Sequence, residues 1–314
     1  MRFAPVLLLV ACGARPSAPE AAGPRDVWVF TDHDLLLESV AHDPTSGAFF
    51  VSSVHQRKIF RVDAAGARSD FFTADDGVFG LRVDAPRGVL WATTAALPQM
   101  IGFTPDLLGR SSLLKISLAT GAVDHKWELP GQHAFGDLAL DAAGAPWLSD
   151  SQGGGIYRVG DGDKLEEVVA PGRFRSPQGI TFTPDGKRAY IADYPTGLYV
   201  LDVGGEPRPL GHPDDIPVRG IDGLLLHKGA LIAVLNGITP HRLVRLSLDA
   251  AGESIVGAES LDVGEHVVEP TGGVLVGDRL YYVATSQWTS FDRDGKLRAA
   301  AFLTPAVVRQ VQLQ

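Results

Sequence analysis

One cysteine, Cys12, is all the thiol this 314-residue chain contains. No internal disulfide can brace it, so stability must come from packing. Basic clusters are missing as well: 28 Lys and Arg stand against 37 Asp and Glu, giving a formal charge of -9 and a pI near 5.4. Such a surface offers nothing to a phosphate backbone, which excludes a nucleic-acid partner. Beyond the N-terminal residues no stretch approaches the ~20 consecutive apolar residues of a membrane-spanning helix. A Gly-x-Ser-x-Gly elbow, a phosphate loop and a dinucleotide fingerprint are all absent, which removes the common serine-hydrolase and nucleotide-dependent readings. What the chain has in quantity is apolar material, 45% of residues, together with 36 glycines and 21 prolines.

The N-terminus differs in character from the rest. MRFAPVLLLVACGARPSAPEAAGPR runs from one arginine through a short apolar stretch into a segment of Ala, Pro and Gly, the pattern of a secretion signal followed by a tether. The tetrapeptide LVAC ending at Cys12 resembles a bacterial lipobox, in which the cysteine is acylated and becomes the new N-terminus; a simple secretory signal cleaved elsewhere is the other reading. The expected layout is a signal over 1–11, a tether over 12–26 and one domain over 27–314. It implies a lipid-anchored protein of the bacterial cell envelope, periplasmic or on the outer-membrane side, touching the membrane only through its anchor.

Laid against itself, the chain repeats. ESVAHDPTSGAFFVSSVHQRKIFRVD at residue 38 is echoed by GDLALDAAGAPWLSDSQGGGIYRVG at 136 and QGITFTPDGKRAYIADYPTGLYVLD at 178, with looser copies beginning at 80, 222 and 271. Each unit is a strand, a turn rich in Asp, Pro and Gly, a second strand with an aromatic near its start, a polar loop and a third strand. Fourth strands follow in ARSDFFTADD, HKWELPG and LEEVVAPG. A repeat of roughly 40 to 50 residues built from short alternating strands predicts an all-β, six-bladed propeller of four-stranded blades. The last unit lacks its fourth strand, and RDVWVFTDHDLL ahead of the first unit matches ARSDFFTADDGV ahead of the second. Val27 to Thr31 is therefore expected to close the ring as the outer strand of the sixth blade, leaving no unpaired seam.

In a propeller the first strand of each blade lines the channel. The six opening positions align as Glu38, Gly80, Gly136, Gln178, Asp222 and Thr271, with Asp137 and Glu269 close by. Converging carboxylates repel one another unless a cation or a proton relieves them. Calcium suits carboxylate, amide and water oxygens, whereas zinc is disfavoured without cysteine ligands or a helical histidine pair. A wet pore whose polar groups bond to water and backbone is the alternative.

The segments ESVAHDPTSGAFFVSSV, GDLALDAAG, PQGITFTPDGKRAYIAD and IDGLLL resemble the senescence-marker-protein/gluconolactonase (regucalcin-like) family of six-bladed propellers, across essentially the whole mature chain. The resemblance implies a calcium-type ion at the channel mouth, held by a Glu in blade one, Asn residues in blades three and four, and an Asp in blade five that acts as general base. Glu38 and Asp222 occupy the Glu and Asp positions, and Asp137 matches the Asp that follows the blade-three Asn. That Asn is Gly136 here, and the blade-four Asn is Gln178. The expected ion ligands are thus Glu38, Gln178, Asp222 and Asp137.

Loops joining the second strand to the third emerge at the same rim. They bring His55, Asp193 and Asn236 around the mouth, while loops entering the first strands add His133 and Arg173. Long insertions, AALPQMIGFTPDLLGRSS in blade two and SQWTSFDRDGKLRAAAFLTP in blade six, are large enough for a lid or wall. Asp222 is the expected base or nucleophile, His133 a proton carrier, and His55, Asp193, Asn236 and Arg173 contacts for a small-molecule substrate. Two functions follow: a monomeric, metal-dependent lactone or ester hydrolase, or a non-catalytic propeller binding a ligand or protein partner at the same rim.

Overall fold

The computed structural model describes residues 23–63, 65–299 and 303–314. The signal, most of the tether and Cys12 lie outside the described residues. Six four-stranded antiparallel sheets follow one another. Their inner strands are Leu37–His42, Gly77–Asp84, Phe135–Leu140, Pro177–Phe182, Ile221–His227 and Gly273–Val276, and each packs beside the next around the ring, the sixth returning to the first. The architecture is the expected six-bladed propeller. Among the described residues no helix is long and apolar enough to cross a membrane.

Tight Asp-x-x-Gly turns drive the alternation. In DAAG at 141–144, Asp141 Oδ1 accepts the amides of Ala143 and Ala145, each at 2.9 Å, and its other oxygen accepts Trp147 Nε1 at 3.1 Å. Gly144 takes φ 80° there, a conformation side-chain-bearing residues rarely adopt. The recurrent aromatics Trp91, Trp147 and Tyr190 are buried between sheets. Tyr190 ties blade four to blade five by donating to Gly252 O at 3.0 Å.

The ring closes as the strand match requires. Arg25–Phe30 pairs antiparallel with Ala306–Gln312 as the outer strand of blade six, beginning two residues ahead of the expected Val27. Two features fasten it. Arg309 lies 3.2 Å from Asp26 and 2.9 Å from Asp262 as an ion pair, and Tyr282 donates to Asp262 at 2.8 Å. Gln287, fully buried, accepts the amides of Leu35 and Leu36 at 3.0 and 3.1 Å. It also donates to the carbonyls of Asp32 and Thr304 at 2.7 and 2.8 Å, so one amide side chain clasps the link between the closing strand and blade one.

Candidate functional site at the channel mouth

A β-bulge interrupts the inner strand of each of the first five blades at the same place. Pairing jumps from Leu37 to Val40, Val78 to Leu81, Phe135 to Leu138, Pro177 to Ile180 and Ile221 to Leu224. Two residues on the inner strand then face one on its neighbour, which leaves backbone groups unpaired and turns side chains out of the ladder. The freed pairs are Glu38–Ser39, Phe79–Gly80, Gly136–Asp137, Gln178–Gly179 and Asp222–Gly223. The blade-two counterpart of Glu38 is therefore Phe79, and the expected Gly80 is one residue too far along. Hydroxyls on the second strands satisfy the bulged backbone: Ser52 Oγ accepts Ser39 N at 2.9 Å and donates to Phe79 O at 2.6 Å in the next blade. Thr93 Oγ1 likewise accepts Gly80 N at 2.8 Å and donates to Gly136 O. The bulges are thus stitched from blade to blade, and the mouth is rigid.

A cavity of about 440 Å3 opens where these bulges meet, within the ~300–1,000 Å3 range of small-molecule sites. Glu38, Asp137, Gln178, Asp222 and Asn236 all line it, and Glu269 joins them. Four carboxylates therefore share one space. Burial is the first reason that the Glu38 carboxyl is pushed well above its usual range, and the charge of Asp222 is the second. Burial likewise pushes Asp222 up to about 7, with Asp137 adding to it and the Asn236 amide opposing it. Asp137 is raised by burial but has a cation beside it, Arg82, whose guanidinium lies 3.2 Å away with both side chains mostly buried. Glu269, also raised by burial, feels His241, whose Nδ1 accepts the Glu269 amide at 2.8 Å.

Each remaining acid is held by one oriented donor. Trp288 Nε1 donates to Glu38 Oε1 at 2.6 Å, and the turn carrying Trp288 follows directly on the clasping Gln287. Asn236 Nδ2 donates to Asp222 Oδ2 at 2.8 Å and to Pro270 O at 3.0 Å, while Tyr194 OH donates to Asn236 Oδ1 at 2.9 Å. Burial and the charge of Asp222 push the Tyr194 phenol up to about 12, so it stays a donor. Glu38 and Asp222 are left without a cation of their own.

The charge of that pair and the hardness of its oxygens fit a divalent ion of the calcium type. Gln178 adds an amide oxygen. Its Nε2 donates to Ser176 Oγ at 3.1 Å, and its Oε1 stands 3.4 Å from where a Cβ on Gly136 would be, so the longer side chain reaches toward the position blade three leaves bare. Glu269 Oε2 is buried with no hydrogen-bond partner. Among the described residues no three His, Cys, Asp or Glu side chains form a ready-made metal cluster; the carboxylates of Glu38 and Asp222, the Gln178 amide and the unpartnered Glu269 oxygen are the donors on offer.

Four expected contacts lie outside the cavity lining. His133 Nδ1 sits 2.6 Å from Asp150 Oδ2, and Asp150 Oδ1 accepts the amides of Ala134 and Gly153, each at 2.9 Å. Asp193 is used in the same way one blade on, accepting Arg175 N and Ser176 N at 3.1 and 2.7 Å. These acids end the second strands and hold the loops that enter the first strands. Arg173 donates to Pro207 O at 2.9 Å and lies over the Tyr199 ring. His55 bonds through Nδ1 to Gln99 O and packs 4.7 Å from the Phe291 ring, so it joins the blade-two and blade-six insertions to each other. Sequence reading missed Arg82 and the apolar side of the cavity, Phe79, Leu97 and Phe135.

Fold and site together define a six-bladed propeller with an acidic ligand cavity on its axis. No protein-family model and no curated protein sequence matches the chain. Solved structures do. Regucalcin from Agrobacterium tumefaciens, described as a calcium-binding protein, superposes with a TM-score of 0.63 at 18% identity, covering 92% of this chain and 96% of that one. A gluconolactonase from Xanthomonas campestris gives 0.61 at 15%, over 96% of this chain and 100% of that one. Virginiamycin B lyase from Staphylococcus aureus gives 0.60 at 16%, over 88% and 80%. The likeness to regucalcin-like and gluconolactonase-like propellers is thus a likeness of fold.

Proposed function

We propose that the channel mouth is a divalent-metal-dependent hydrolytic site for a lactone or ester. The observation that carries this reading is the buried pair Glu38 and Asp222, two acids that oppose each other with no basic side chain between them, while Asp137 is already matched by Arg82. Glu38, Asp222 and the Gln178 amide oxygen would hold the ion, calcium by donor chemistry, with water completing its shell. When bound, it supplies polarisation of the carbonyl oxygen that gains charge. Asp222 takes the proton of the attacking water: Asn236 occupies Oδ2 and leaves Oδ1 without a protein partner among the described residues. Tyr194 fixes the Asn236 amide, and Trp288 fixes Glu38. Titrating calcium into the protein by calorimetry, then assaying lactones and aryl esters with and without chelator, tests this. No calcium binding, or hydrolysis indifferent to chelation, refutes it.

Gly136, which gives the mouth no ligand, favours a second reading, a binding propeller whose ion is structural; it predicts calcium binding without turnover. For the N-terminus we propose lipidation at Cys12 and attachment to the cell envelope. Membrane fractionation of Cys12→Ser tests it, release into the soluble fraction being the expected result.

A further inference from the structure

We infer that the ligand is uncharged and largely apolar, a lactone or ester carrying an alkyl or aryl substituent, and that Phe79 and Leu97 select it over polyhydroxylated rings. This rests on the hydrolytic reading of the cavity but adds what that reading does not contain. Among the described residues no Lys, Arg or His lines the cavity. The acids there, with Arg82 already committed to Asp137, repel a carboxylate, phosphate or sulfate.

Side-chain donors are scarce at this cavity. A polyol is recognised by giving each hydroxyl a partner, and a hydroxyl buried without one loses affinity. Almost every donor around this cavity is already spent inside the protein. Trp288 donates to Glu38, Tyr194 to Asn236, and Ser151 to Ala134 O at 3.1 Å. Both hydrogens of Asn236 Nδ2 go to Asp222 and Pro270, and one of those on Gln178 goes to Ser176. Among the uncharged side chains, what remains is the second N–H of Gln178 and the hydroxyl of Ser39, a residue only 2% exposed. Such a set leaves the oxygens of a polyol short of side-chain donors.

Part of the lining is apolar. Phe79 leaves the blade-two bulge at the position where blades one and five carry Glu38 and Asp222. Leu97 begins the blade-two insertion, and Phe135 opens the blade-three inner strand; all three line the cavity. Apolar surface facing a small cavity favours an apolar occupant in proportion to the area covered. The cavity thus offers polar groups for the reacting end of a ligand and the side chains of Phe79 and Leu97 for its substituent.

Uncleavable rings separate recognition from turnover. Binding of a δ-lactam bearing a hexyl chain and of a polyhydroxylated δ-lactam is measured by calorimetry on the full-length protein with calcium present. The hexyl lactam is expected to bind at least tenfold more tightly, and to weaken at least fivefold in Phe79→Ser and in Leu97→Ser; each variant's melting temperature shows that it has folded. Equal or tighter binding of the polyhydroxylated lactam overturns the inference, as does unchanged hexyl-lactam affinity in both folded variants. The matching lactones are assayed in parallel. Binding of the hexyl lactam without hydrolysis of its lactone sinks the hydrolytic reading and leaves the ligand class standing. Hydrolysis with a preference for the sugar lactone does the reverse, and failure of both lactams to bind overturns both.

Discussion

Replacing Asp222 by Asn tests the charge argument at its centre, because it removes one of two opposed acids while keeping shape and the Asn236 contact. Asp222 titrates near 7 in the folded protein against a reference value of 3.8. Between those two values the folded chain keeps a proton that the unfolded chain releases, so raising the pH through that window lowers stability. Three pK units correspond to ~4 kcal/mol at about 1.36 kcal/mol per unit. Water in the cavity screens part of this, leaving ~2 kcal/mol at pH 8 and roughly less than half of that at pH 5. For a chain of this size, ~2 kcal/mol is about 4 °C in melting temperature. With chelator at pH 8, Asp222→Asn should therefore melt about 4 °C above wild type, and the gap should narrow at pH 5. Calcium reverses the order: at a concentration 100 times its dissociation constant, the ion stabilises wild type by about 2.7 kcal/mol, and the variant, with half of its anionic ligands gone, much less. Scanning calorimetry at the two pH values, with chelator and with calcium, reads all four cases. A variant no more stable than wild type in chelator at pH 8 would refute the reasoning.

The other predictions concern closure and coordination. Arg309→Ala strands the 5%-exposed Asp262 beside blade six and frees Asp26 on the closing strand; a loss of ~3 kcal/mol is expected, read as a lower urea midpoint. Gln287→Ala leaves the buried amides of Leu35 and Leu36 unpaired, which costs roughly 3 kcal/mol in the same measurement. It should also alter tryptophan fluorescence, because the turn that sets Trp288 against Glu38 loses its anchor. Gly136→Asn restores an amide at the bare position, where a Cβ would have Gln178 Oε1 at 3.4 Å and Ser149 Oγ at 3.5 Å as its nearest neighbours. Calcium affinity by calorimetry should rise roughly tenfold with the added oxygen, and an unchanged affinity would show that the ion does not sit beside Gly136.

The propeller was legible in the sequence because its causes are local and repeated. Turns rich in Asp, Pro and Gly and two-residue alternation recur along the chain, and the match between RDVWVF and ARSDFF exposed the closing strand, since an outer strand shares its pattern with other outer strands wherever it lies in the chain. The bulges were not legible. They shift register by one residue without a composition of their own, and in blade two the aligned Gly-Leu pairs drew Gly80 into the place that hydrogen bonding gives to Phe79. The residue at that place, Phe79, is an apolar side chain that lines the cavity among acids.

The same repetition explains which polar residues were misplaced. Asp150 and Asp193 end the second strands of neighbouring blades at equivalent positions, and both accept amides of the loop that enters the first strand. A polar residue that recurs from blade to blade answers a need every blade has, and Asp193 was read as a ligand contact only because its loop reaches the right rim. His133 is tied to one of these acids, and its place follows from that role. The residues that make the cavity distinctive are the ones that break the repeat. Pairing aligns Arg82 with Ala41, Ala139, Thr181 and Leu225, and only blade two puts a cation there. That single guanidinium pairs with Asp137 and leaves Glu38 and Asp222 as acids without a cation of their own. In a propeller, then, the position of chemistry is found by subtracting what the blades have in common, and Arg82, written plainly in GLRVD, was the departure that fixed the charge of the site.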